Sequence, residues 1–281
     1  MKIIREGGLK LCIIGASGSV GIGICKELAS FTGIKTFAVS RTISTQLDYL
    51  ASERLLPVEL DTFLQNINDF DFDVVLNLAF SGCHTKDNPD LFLTDIEKNV
   101  VYLQSLYSIV KSASSGLCIH LGSELESFLK TRKNASTAPA LNDDDTLHSR
   151  ARRLYAVQKR IQSKIISEFS TLDSSIYSII LFAPYIVSPC NAKTSLAGMI
   201  ETAIGAMNDF KPRHPEKELR YTTTFSLASQ VIRLSRDHQE GLLKFPSSRK
   251  TINLCVEDVR SSTVMQFVEE YTKHLRRNWA T

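Results

Sequence analysis

Two tyrosine–lysine pairs with the spacing Tyr-x-x-x-Lys occur in the sequence, and only one has the position expected of a catalytic pair. Tyr107 and Lys111 lie in a helix-like segment before a predicted strand, where a packed tyrosine and a solvated lysine are the ordinary interpretation. Tyr155 and Lys159 instead follow a strand-like segment at 117–121 whose C-terminal end carries Gly122 and Ser123, where a parallel sheet binds its ligands. A spacing of four places both side chains on one helix face. We therefore expect Ser123, Tyr155 and Lys159 to be catalytic.

This combination suits proton transfer at an oxygen atom. A free phenol has a pKa near 10, so it is a poor acid and a scarce base at neutral pH. A lysine cation about 4 Å away, at an effective dielectric near 20, favours the phenolate by roughly 4 kcal/mol, or about three pKa units. Tyr155 would then exchange protons near the working pH, while Ser123 hydrogen-bonds the substrate oxygen.

A glycine-rich segment near the N-terminus has the form of a nucleotide-binding turn. It joins an apolar run at residues 9–14, typical of a buried strand, to a helix-like segment at 20–28. Glycines at such a joint let the backbone approach a pyrophosphate without an intervening Cβ, and they aim helix N-terminal amides at its charge. The predicted cofactor contacts in this segment are Gly15, Ser17, Gly18, Ser19, Val20 and Gly21.

The elements that position these residues are an alternating series. Strands are predicted at 10–14, 35–40, 55–60, 74–80, 117–121 and 175–182, and helices at 20–28, 61–67, 91–112 and 149–169. Alternation indicates parallel βαβ units, and continuous apolar strands indicate helices on both sheet faces. The predicted fold is an α/β doubly wound parallel sheet, the Rossmann fold, over residues 1–183, with ligands bound outside the carboxyl ends of its strands.

The regular alternation of predicted strands and helices ends after residue 183. Helices are predicted at 194–207, 226–234 and 262–276, with a polar loop at 209–217 and a strand at 251–254. We interpret residues 184–281 as a smaller C-terminal substrate-binding lobe, parts of which return to the Rossmann domain.

The composition is that of an ordinary globular protein. The chain has 281 residues, 43% hydrophobic and 22% charged, with a formal net charge of +3, which argues against nucleic-acid and membrane partners. The six cysteines lie mostly in apolar runs and are interpreted as reduced core thiols. The N-terminus is unlike a signal peptide, so a cytoplasmic enzyme is expected. Histidine and cysteine spacings predict no metal site.

The glycine spacing G-x-x-G-x-x-G, Ser123 and the Tyr155–Lys159 pair, in that order, resemble the short-chain dehydrogenase/reductase superfamily. More narrowly, they resemble its extended branch of NAD(P)-dependent epimerases, dehydratases and reductases, over about residues 9–184. The resemblance implies that Tyr155 is the acid/base, that Lys159 holds the tyrosine and the nicotinamide ribose, and that Ser123 orients a carbonyl group. It also implies that Asn99 supports a proton-relay water or the lysine; a plain helix-face asparagine is the alternative.

Further cofactor contacts follow from the same resemblance. Leu78 and Ala79 end the fourth predicted strand, where the family has small residues beside the cofactor. Asp61 follows the third strand, where an acidic residue meets the adenine. Val187 lies in the loop after the sixth strand, which touches the nicotinamide carboxamide in the family.

The residues after the second strand favour NADP over NAD. This strand ends in Ser40, Arg41 and Thr42, and no acidic residue appears before Asp48. A carboxylate there would bind the ribose 2′-hydroxyl of NAD, whereas an arginine suits a 2′-phosphate. The alternatives are a solvated loop cation for Arg41 and simple turn residues for Ser40 and Thr42.

Candidate substrate contacts are less specific. Ser123 is followed by Glu124-Leu-Glu126, where extended members usually carry Tyr-Gly, and either glutamate could be a second acid/base group. Lys211, Arg213 and Arg220 lie in the presumed substrate lobe and could clamp a diphosphate. A plain basic loop is the alternative.

Two functions from different classes fit these residues. The first is an NADP-dependent oxidoreductase or epimerase that transfers hydride at a carbonyl/alcohol carbon of a sugar nucleotide or related polar metabolite. The second is an NADP-binding regulatory or sensor protein without turnover, although a sensor has no need of an activated phenol. The resemblance further implies a homodimer in which the helices at 91–112 and 149–169 pair across a two-fold axis.

Overall fold

The computed structural model describes residues 8–80, 89–128, 147–191, 195–246 and 250–279. The strands in these ranges are β1 (Leu9–Ile14), β2 (Ile34–Ser40), β3 (Leu55–Glu59), β4 (Val74–Asn77), β5 (Leu117–Ser123), β6 (Tyr177–Ala183), β7 (Tyr185–Val187), β8 (Glu218–Thr223), β9 (Thr251–Cys255) and β10 (Arg260–Thr263). The α-helices are α1 (Ser19–Ala29), α2 (Thr45–Tyr49), α3 (Leu60–Gln65), α4 (Pro89–Ser112), α5 (Leu125–Phe128), α6 (Leu147–Ser167), α7 (Phe169–Leu172), α8 (Leu196–Gly205), α9 (Thr224–Gln239) and α10 (Val264–Trp279).

The main sheet has seven strands in the order β3-β2-β1-β4-β5-β6-β9, and all of its pairings are parallel. The chain order reverses at β1, which pairs with β2 on one side and β4 on the other. In doubly wound sheets this switch point forms the ligand crevice at the carboxyl edge. The predicted Rossmann fold is confirmed.

Both faces of the sheet are apolar because alternate strand residues enter different cores. In β1, Leu11 and Ile13 pack on one face with residues of α1 and α9, whereas Cys12 and Ile14 pack on the other with residues of α4 and α6. All four are essentially inaccessible to solvent. Helices on both faces explain why the strands are continuous apolar runs rather than alternating ones.

A second sheet of three strands, in the order β10-β8-β7, follows the main sheet in the chain. With α8 and α10 it encloses a separate small core that includes Ile200, Tyr221 and Phe267. The Phe267 ring meets the Tyr221 ring edge-on at 4.9 Å between centroids. We call this sheet and its two helices the C-terminal lobe.

The six strands predicted for the Rossmann domain are all present, with ends displaced by up to three residues. The predicted helix at 149–169 is two helices, α6 and α7. The predicted strand at 251–254 is β9, which joins the main sheet beside β6, and α9 packs against α1. Strands β7, β8 and β10 were not predicted. β7 has only three residues, and β8 and β10 consist largely of polar residues, so they lack the continuous apolar run of a buried strand.

Five of the six cysteines lie in the described ranges, and all five are free. Cys12, Cys25 and Cys118 are buried, as predicted for core thiols, whereas Cys255 is exposed. Cys83 lies outside the described residues. None of the helices in the described part of the chain has the length and hydropathy of a membrane span.

Candidate active site

The glycine-rich turn connects β1 to α1 at the switch point of the sheet. Gly15 has φ +87°, and its N–H donates to the carbonyl of Val39 at 2.9 Å. A Cβ on Gly15 would lie 2.7 Å from the backbone nitrogen of Ala79, and one on Gly21 would lie 2.4 Å from the carbonyl oxygen of Gly15. These positions therefore require glycine, both for backbone conformation and for close approach.

The N-terminus of α1 is suited to a phosphate group. Its N-cap residue is Gly18, no side chain caps the helix by a hydrogen bond, and its first turn holds no acidic residue. The first N–H groups of a helix have no intrahelical acceptor, and the helix dipole favours negative charge there. Among the other predicted contacts in the turn, Val20 packs against the core under α1. The glycine cradle and the bare helix end together fit a dinucleotide pyrophosphate.

Hydroxyl groups tie the glycine-rich turn to the loop after β2. The Ser17 Oγ lies 2.8 Å from both the Ser40 Oγ and the carbonyl oxygen of Thr42, and it accepts the N–H of Ser44 at 3.3 Å. Arg41 lies in the same loop and is exposed. The structure thus brings together the turn and the loop that sequence analysis assigned to the phosphates and the adenosine ribose.

The remaining predicted cofactor contacts lie along the same edge. The Leu78 N–H donates to the carbonyl of Ile14 at 2.9 Å, and the Ala79 N–H donates to the Asn77 Oδ1 at 3.1 Å. Asp61 is exposed in the first turn of α3, directly after β3. Leu78 and Ala79 therefore follow the carboxyl end of β4 beside the switch point, and Asp61 follows the carboxyl end of β3, two strands from β1.

Tyr155 and Lys159 project from α6 towards the ends of β4 and β5. The Lys159 Nζ donates to the carbonyl of Leu121 at 2.9 Å and lies 4.8 Å from the centroid of the Phe80 ring. The same ring meets the Tyr155 ring edge-on at 5.1 Å between centroids. Leu121 is two residues before Ser123, the last residue of β5. The structure therefore brings the three predicted catalytic residues to the ends of two neighbouring strands.

Ser123 is held by the short helix that follows it. Its N–H donates to the Glu126 Oε1 at 2.8 Å, and its Oγ accepts the N–H of Leu125 at 3.3 Å. Glu126 is only 4% exposed. Burial raises the pKa of the Glu126 carboxyl, while the Ser123 hydrogen bond and the positive charge of Lys159 act in the opposite direction. Glu126 thus supports the backbone of Ser123 from inside the protein.

A buried polar group lies between β4, β5 and α4. The Tyr102 hydroxyl donates to the Asn77 Oδ1 at 2.6 Å, and the Asn77 Nδ2 lies 3.0 Å from the His120 Nδ1. Burial and the charge of Lys159 lower the pKa of His120, which therefore stays neutral at physiological pH. Asn77 and Tyr102 were not predicted, since a polar residue within an apolar run shows no distinctive spacing.

Asn99 lies at the interface between α4 and α6. It is 6% exposed, and its Oδ1 accepts a hydrogen bond from the Gln162 Nε2 at 3.2 Å. Gln162 is three residues after Lys159 on α6, so Asn99 contacts the helix that carries the lysine. Its role towards a water or the lysine stays a prediction.

The predicted substrate contacts divide into two groups. The Arg220 Nη1 forms an ion pair with the Glu124 Oε2 at 3.0 Å, which joins β8 of the C-terminal lobe to the residue after Ser123. Burial raises the pKa of Glu124, and Arg220 opposes that change. Lys211 and Arg213 are exposed in the segment between α8 and β8. The structure brings Arg220 to the candidate site and leaves the other two basic residues on the surface.

Val187 lies in a strand rather than in the predicted loop. It ends β7 and pairs with Thr223 of β8. The next residue, Ser188, donates its hydroxyl to the carbonyl of Ser19 at 2.8 Å. Val187 is therefore one residue from a direct contact with the glycine-rich turn, although its role towards a nicotinamide stays a prediction.

Known proteins resemble this chain in sequence family and in fold. The model of the NAD dependent epimerase/dehydratase family matches residues 11–223. No curated protein sequence matches the chain significantly.

Several solved structures share the architecture. UDP-glucuronic acid 4-epimerase from Bacillus cereus, in complex with UDP-glucuronic acid and NAD, has a TM-score of 0.66 at 14% identity, over 94% of this chain and 82% of that chain. UDP-N-acetylglucosamine 4-epimerase from Methanobrevibacter ruminantium M1 has a TM-score of 0.63 at 15% identity, over 98% of this chain and 83% of that chain. DesIV, a dTDP-glucose 4,6-dehydratase from Streptomyces venezuelae with NAD bound, has a TM-score of 0.63 at 12% identity, over 97% of this chain and 83% of that chain. At these identities the likeness establishes the fold.

Glu126 provides a prediction about stability and pH. Because its pKa is raised in the folded protein, above the value of about 4.3 expected for an unfolded chain, the folded state holds the extra proton between the two values. Stability therefore falls as the pH rises through that window. Glu126→Gln removes this titration, so its free energy of unfolding relative to that of the parent should increase as the pH rises above about 4.3, as measured by urea unfolding at a series of pH values.

Glu97→Gln is the matched control, because Glu97 is exposed on α4. The difference in free energy of unfolding between Glu97→Gln and the parent should change little over the same pH range. If the difference in free energy of unfolding between Glu126→Gln and the parent is equally independent of pH, ionisation of the buried carboxyl does not destabilise the folded protein and the prediction is wrong.

Proposed function

The chain belongs to the NAD dependent epimerase/dehydratase family, and we propose that it transfers hydride at a carbonyl/alcohol carbon of a sugar nucleotide or a related polar metabolite, with NADP as the preferred cofactor. Family membership itself assigns NAD(P)-dependent oxidoreductase or epimerase chemistry. The observation that carries the proposal is the placement of Lys159 on the carbonyl of Leu121, two residues before Ser123, with Phe80 between the lysine and Tyr155.

In the proposed mechanism the chain positions a substrate oxygen and moves its proton. When bound, the nicotinamide supplies or accepts the hydride. Tyr155 exchanges the proton with the substrate oxygen, and the Lys159 ammonium beside it favours the phenolate. The Ser123 Oγ already accepts the N–H of Leu125, so its own hydrogen is available for the substrate oxygen as negative charge develops there.

The proposed preference for NADP rests on the loop after β2. The hydroxyls of Ser17 and Ser40 and the backbone carbonyl of Thr42 form a polar contact between this loop and the proposed phosphate-binding turn. Arg41 extends from that loop into solvent, where a ribose 2′-phosphate would meet its guanidinium group. Such a contact is charge-assisted and well matched to phosphate geometry. The remaining dinucleotide contacts are proposed as in the sequence analysis, with Asp61 at the adenine and Val187 at the nicotinamide.

The proposed substrate class rests on the C-terminal lobe and on the structural relatives. Solved structures of this fold include epimerases with UDP-linked sugars bound. In this chain Arg220 pairs with Glu124, the residue after Ser123, which supports a role for this cation of the lobe in contacting the substrate. We propose that residues 184–281 provide the substrate-binding lobe, with α9 and β9 belonging to the Rossmann layers. Lys211 and Arg213 stay candidates for diphosphate contacts, and a cytoplasmic location stays a prediction.

We also propose a homodimer formed through α4 and α6. Leu93, Val100 and Val101 lie at spacings of seven and eight along α4, and they are among the exposed large hydrophobic residues of the described chain. These spacings place them on one helix face. A second copy of the same helices would bury that face in a four-helix contact.

Turnover tests the enzymatic function directly. The parent should oxidise or reduce NADP(H), or interconvert epimers, with at least one member of a panel of UDP- and dTDP-linked sugars and keto sugars. Tyr155→Phe should lower kcat by about 10²–10⁴-fold, because it removes the proton-exchanging group. The Kd of Tyr155→Phe for NADP⁺ should change by no more than about threefold, because binding of the nicotinamide cofactor does not need the phenolic proton.

Tyr107→Phe is the matched control, because Tyr107 belongs to the other Tyr-x-x-x-Lys pair and packs against Phe169. It should retain the parent kcat. Dinucleotide binding by the parent without turnover of any member of the panel would favour the binding protein, and equal rates for Tyr155→Phe and the parent would exclude Tyr155 as the acid/base.

Arg41→Glu tests the cofactor preference. It should raise the Kd for NADP⁺ by about 10–100-fold, because a charge-assisted hydrogen bond is replaced by repulsion, and it should leave the Kd for NAD⁺ within about threefold of the parent value. Arg54→Glu is the control, since its backbone carbonyl accepts from Thr36 at the opposite, amino end of the sheet. Equal effects of Arg41→Glu on both nucleotides would contradict the proposed phosphate contact.

Val101→Glu tests the dimer. A carboxylate in the centre of an apolar helix contact is costly to desolvate, so the variant should be monomeric at micromolar concentrations where the parent is dimeric, as measured by light scattering after gel filtration. Met199→Glu, at an exposed apolar position on α8, should leave the parent mass unchanged. A monomeric parent would overturn the proposal.

A further inference from the structure

Two hydrogen bonds connect the segment after β7 to the start of α1, and a third stabilises the segment itself. The Ser188 Oγ donates to the carbonyl of Ser19 at 2.8 Å, the Ser19 Oγ donates to the carbonyl of Cys190 at 2.5 Å, and the Cys190 N–H donates to the Ser188 Oγ at 3.2 Å. Ser188 is 2% exposed. A Cβ on Gly23 would lie 2.5 Å from the Ser188 Oγ, so α1 admits this segment only because residue 23 is glycine.

Asn191 continues the connection into the C-terminal lobe. Its Oδ1 accepts the N–H of Ser188 at 3.0 Å, and its Nδ2 donates to the Glu201 Oε1 at 2.8 Å and lies 3.0 Å from the Tyr271 hydroxyl oxygen. One amide side chain therefore uses its acceptor towards the cofactor turn and its donors towards α8 and α10. No other neutral side chain of this length offers both.

The far end of the connection is anchored in the small core. The Tyr271 hydroxyl donates to the Glu201 Oε1 at 2.5 Å, and its ring stacks on Phe267 with centroids 5.5 Å apart. Phe267 is 2% exposed. Burial and the neighbouring carboxylate of Glu201 raise the pKa of the Tyr271 phenol, so it remains the protonated donor. Any displacement of Asn191 is therefore transmitted to the packing of α8 against α10.

We infer that Asn191 is a positioning residue that couples dinucleotide binding at the start of α1 to the packing of α8 and α10 in the C-terminal lobe. The inference rests on the proposed function, because it places the phosphates at the glycine-rich turn. A ligand that fixes Ser19 also fixes the segment bonded to it. Since coupling between two sites is reciprocal, order in the lobe strengthens cofactor binding by the same factor.

The chemistry of the amide makes this coupling separable from stability. Asn191→Asp keeps the shape and the acceptor, but it loses both donors and places a carboxylate against Glu201. Asn191→Asp combined with Glu201→Gln exchanges donor and acceptor across the same contact, so the hydrogen bond can form again with its direction reversed. Rescue by the double variant distinguishes a lost contact from a general defect in folding.

Hydrogen exchange of the full chain, with and without saturating NADP⁺, measures the coupling. NADP⁺ should slow amide exchange in α1 and also in α8 and α10 of the parent, by about fivefold or more in the lobe. In Asn191→Asp the nucleotide should still protect α1 but no longer α10, and its Kd should rise by about fivefold. The double variant should restore both the protection of α10 and the Kd. Glu216→Gln, at an exposed position of the lobe, should behave as the parent does.

The outcomes separate this inference from the function on which it rests. If NADP⁺ protects α1 but leaves α10 of the parent unchanged, or protects α10 equally in Asn191→Asp, the coupling is absent and the proposed function stands. If neither NADP⁺ nor NAD⁺ protects α1 of the parent, the cofactor assignment fails and the inference fails with it.

Discussion

The burial of one lysine ammonium constrains the rest of the candidate site. Lys159 is 4% exposed, and a buried charge is costly unless it is closely paired or hydrogen-bonded. The carbonyl of Leu121 and the ring of Phe80 supply part of what it needs, at 2.9 Å from the oxygen and 4.8 Å from the ring centroid. Leu121 lies near the end of β5 and Phe80 lies three residues after β4, so the same contacts that stabilise the charge also fix α6 against this edge of the sheet. The position of Tyr155, one turn earlier, follows from them.

The surrounding polar residues are explained by the same charge. His120 stays neutral beside the ammonium, Asn77 of β4 lies 3.0 Å from its Nδ1, and Tyr102 of α4 donates to Asn77. The Glu126 carboxyl accepts the N–H of Ser123, and the charge of Lys159 partly opposes the rise in its pKa that burial causes. A fully apolar core would pack more simply, but it could not hold a cation next to a phenol. The site thus combines a rigid sheet edge with a polar layer directly beneath it.

The C-terminal lobe is attached to the Rossmann layers through polar as well as apolar contacts. Arg220 meets Glu124 beside Ser123, and Asn191 connects the start of α1 to Glu201 and Tyr271. These contacts join the residue after Ser123 and the segment bonded to the start of α1 to the same small lobe. The lobe is therefore attached at two points of the sheet edge by an ion pair and by hydrogen bonds, in addition to its apolar packing.

The sequence by itself determined the main sheet, the glycine-rich turn at its switch point and the position of the candidate catalytic pair. Each leaves a local signature: apolar runs of strand length, glycines at a strand–helix joint, and a four-residue spacing on a helix. Position along the chain even separated Tyr155–Lys159 from Tyr107–Lys111, because strands of a parallel sheet end at one edge. Only the tertiary structure revealed Phe80 under Tyr155, Glu126 under Ser123, and Asn191 between α1 and α10. These residues act through partners as far as 80 positions away in the chain, and a contact at that separation leaves no periodicity or spacing for a single sequence to display.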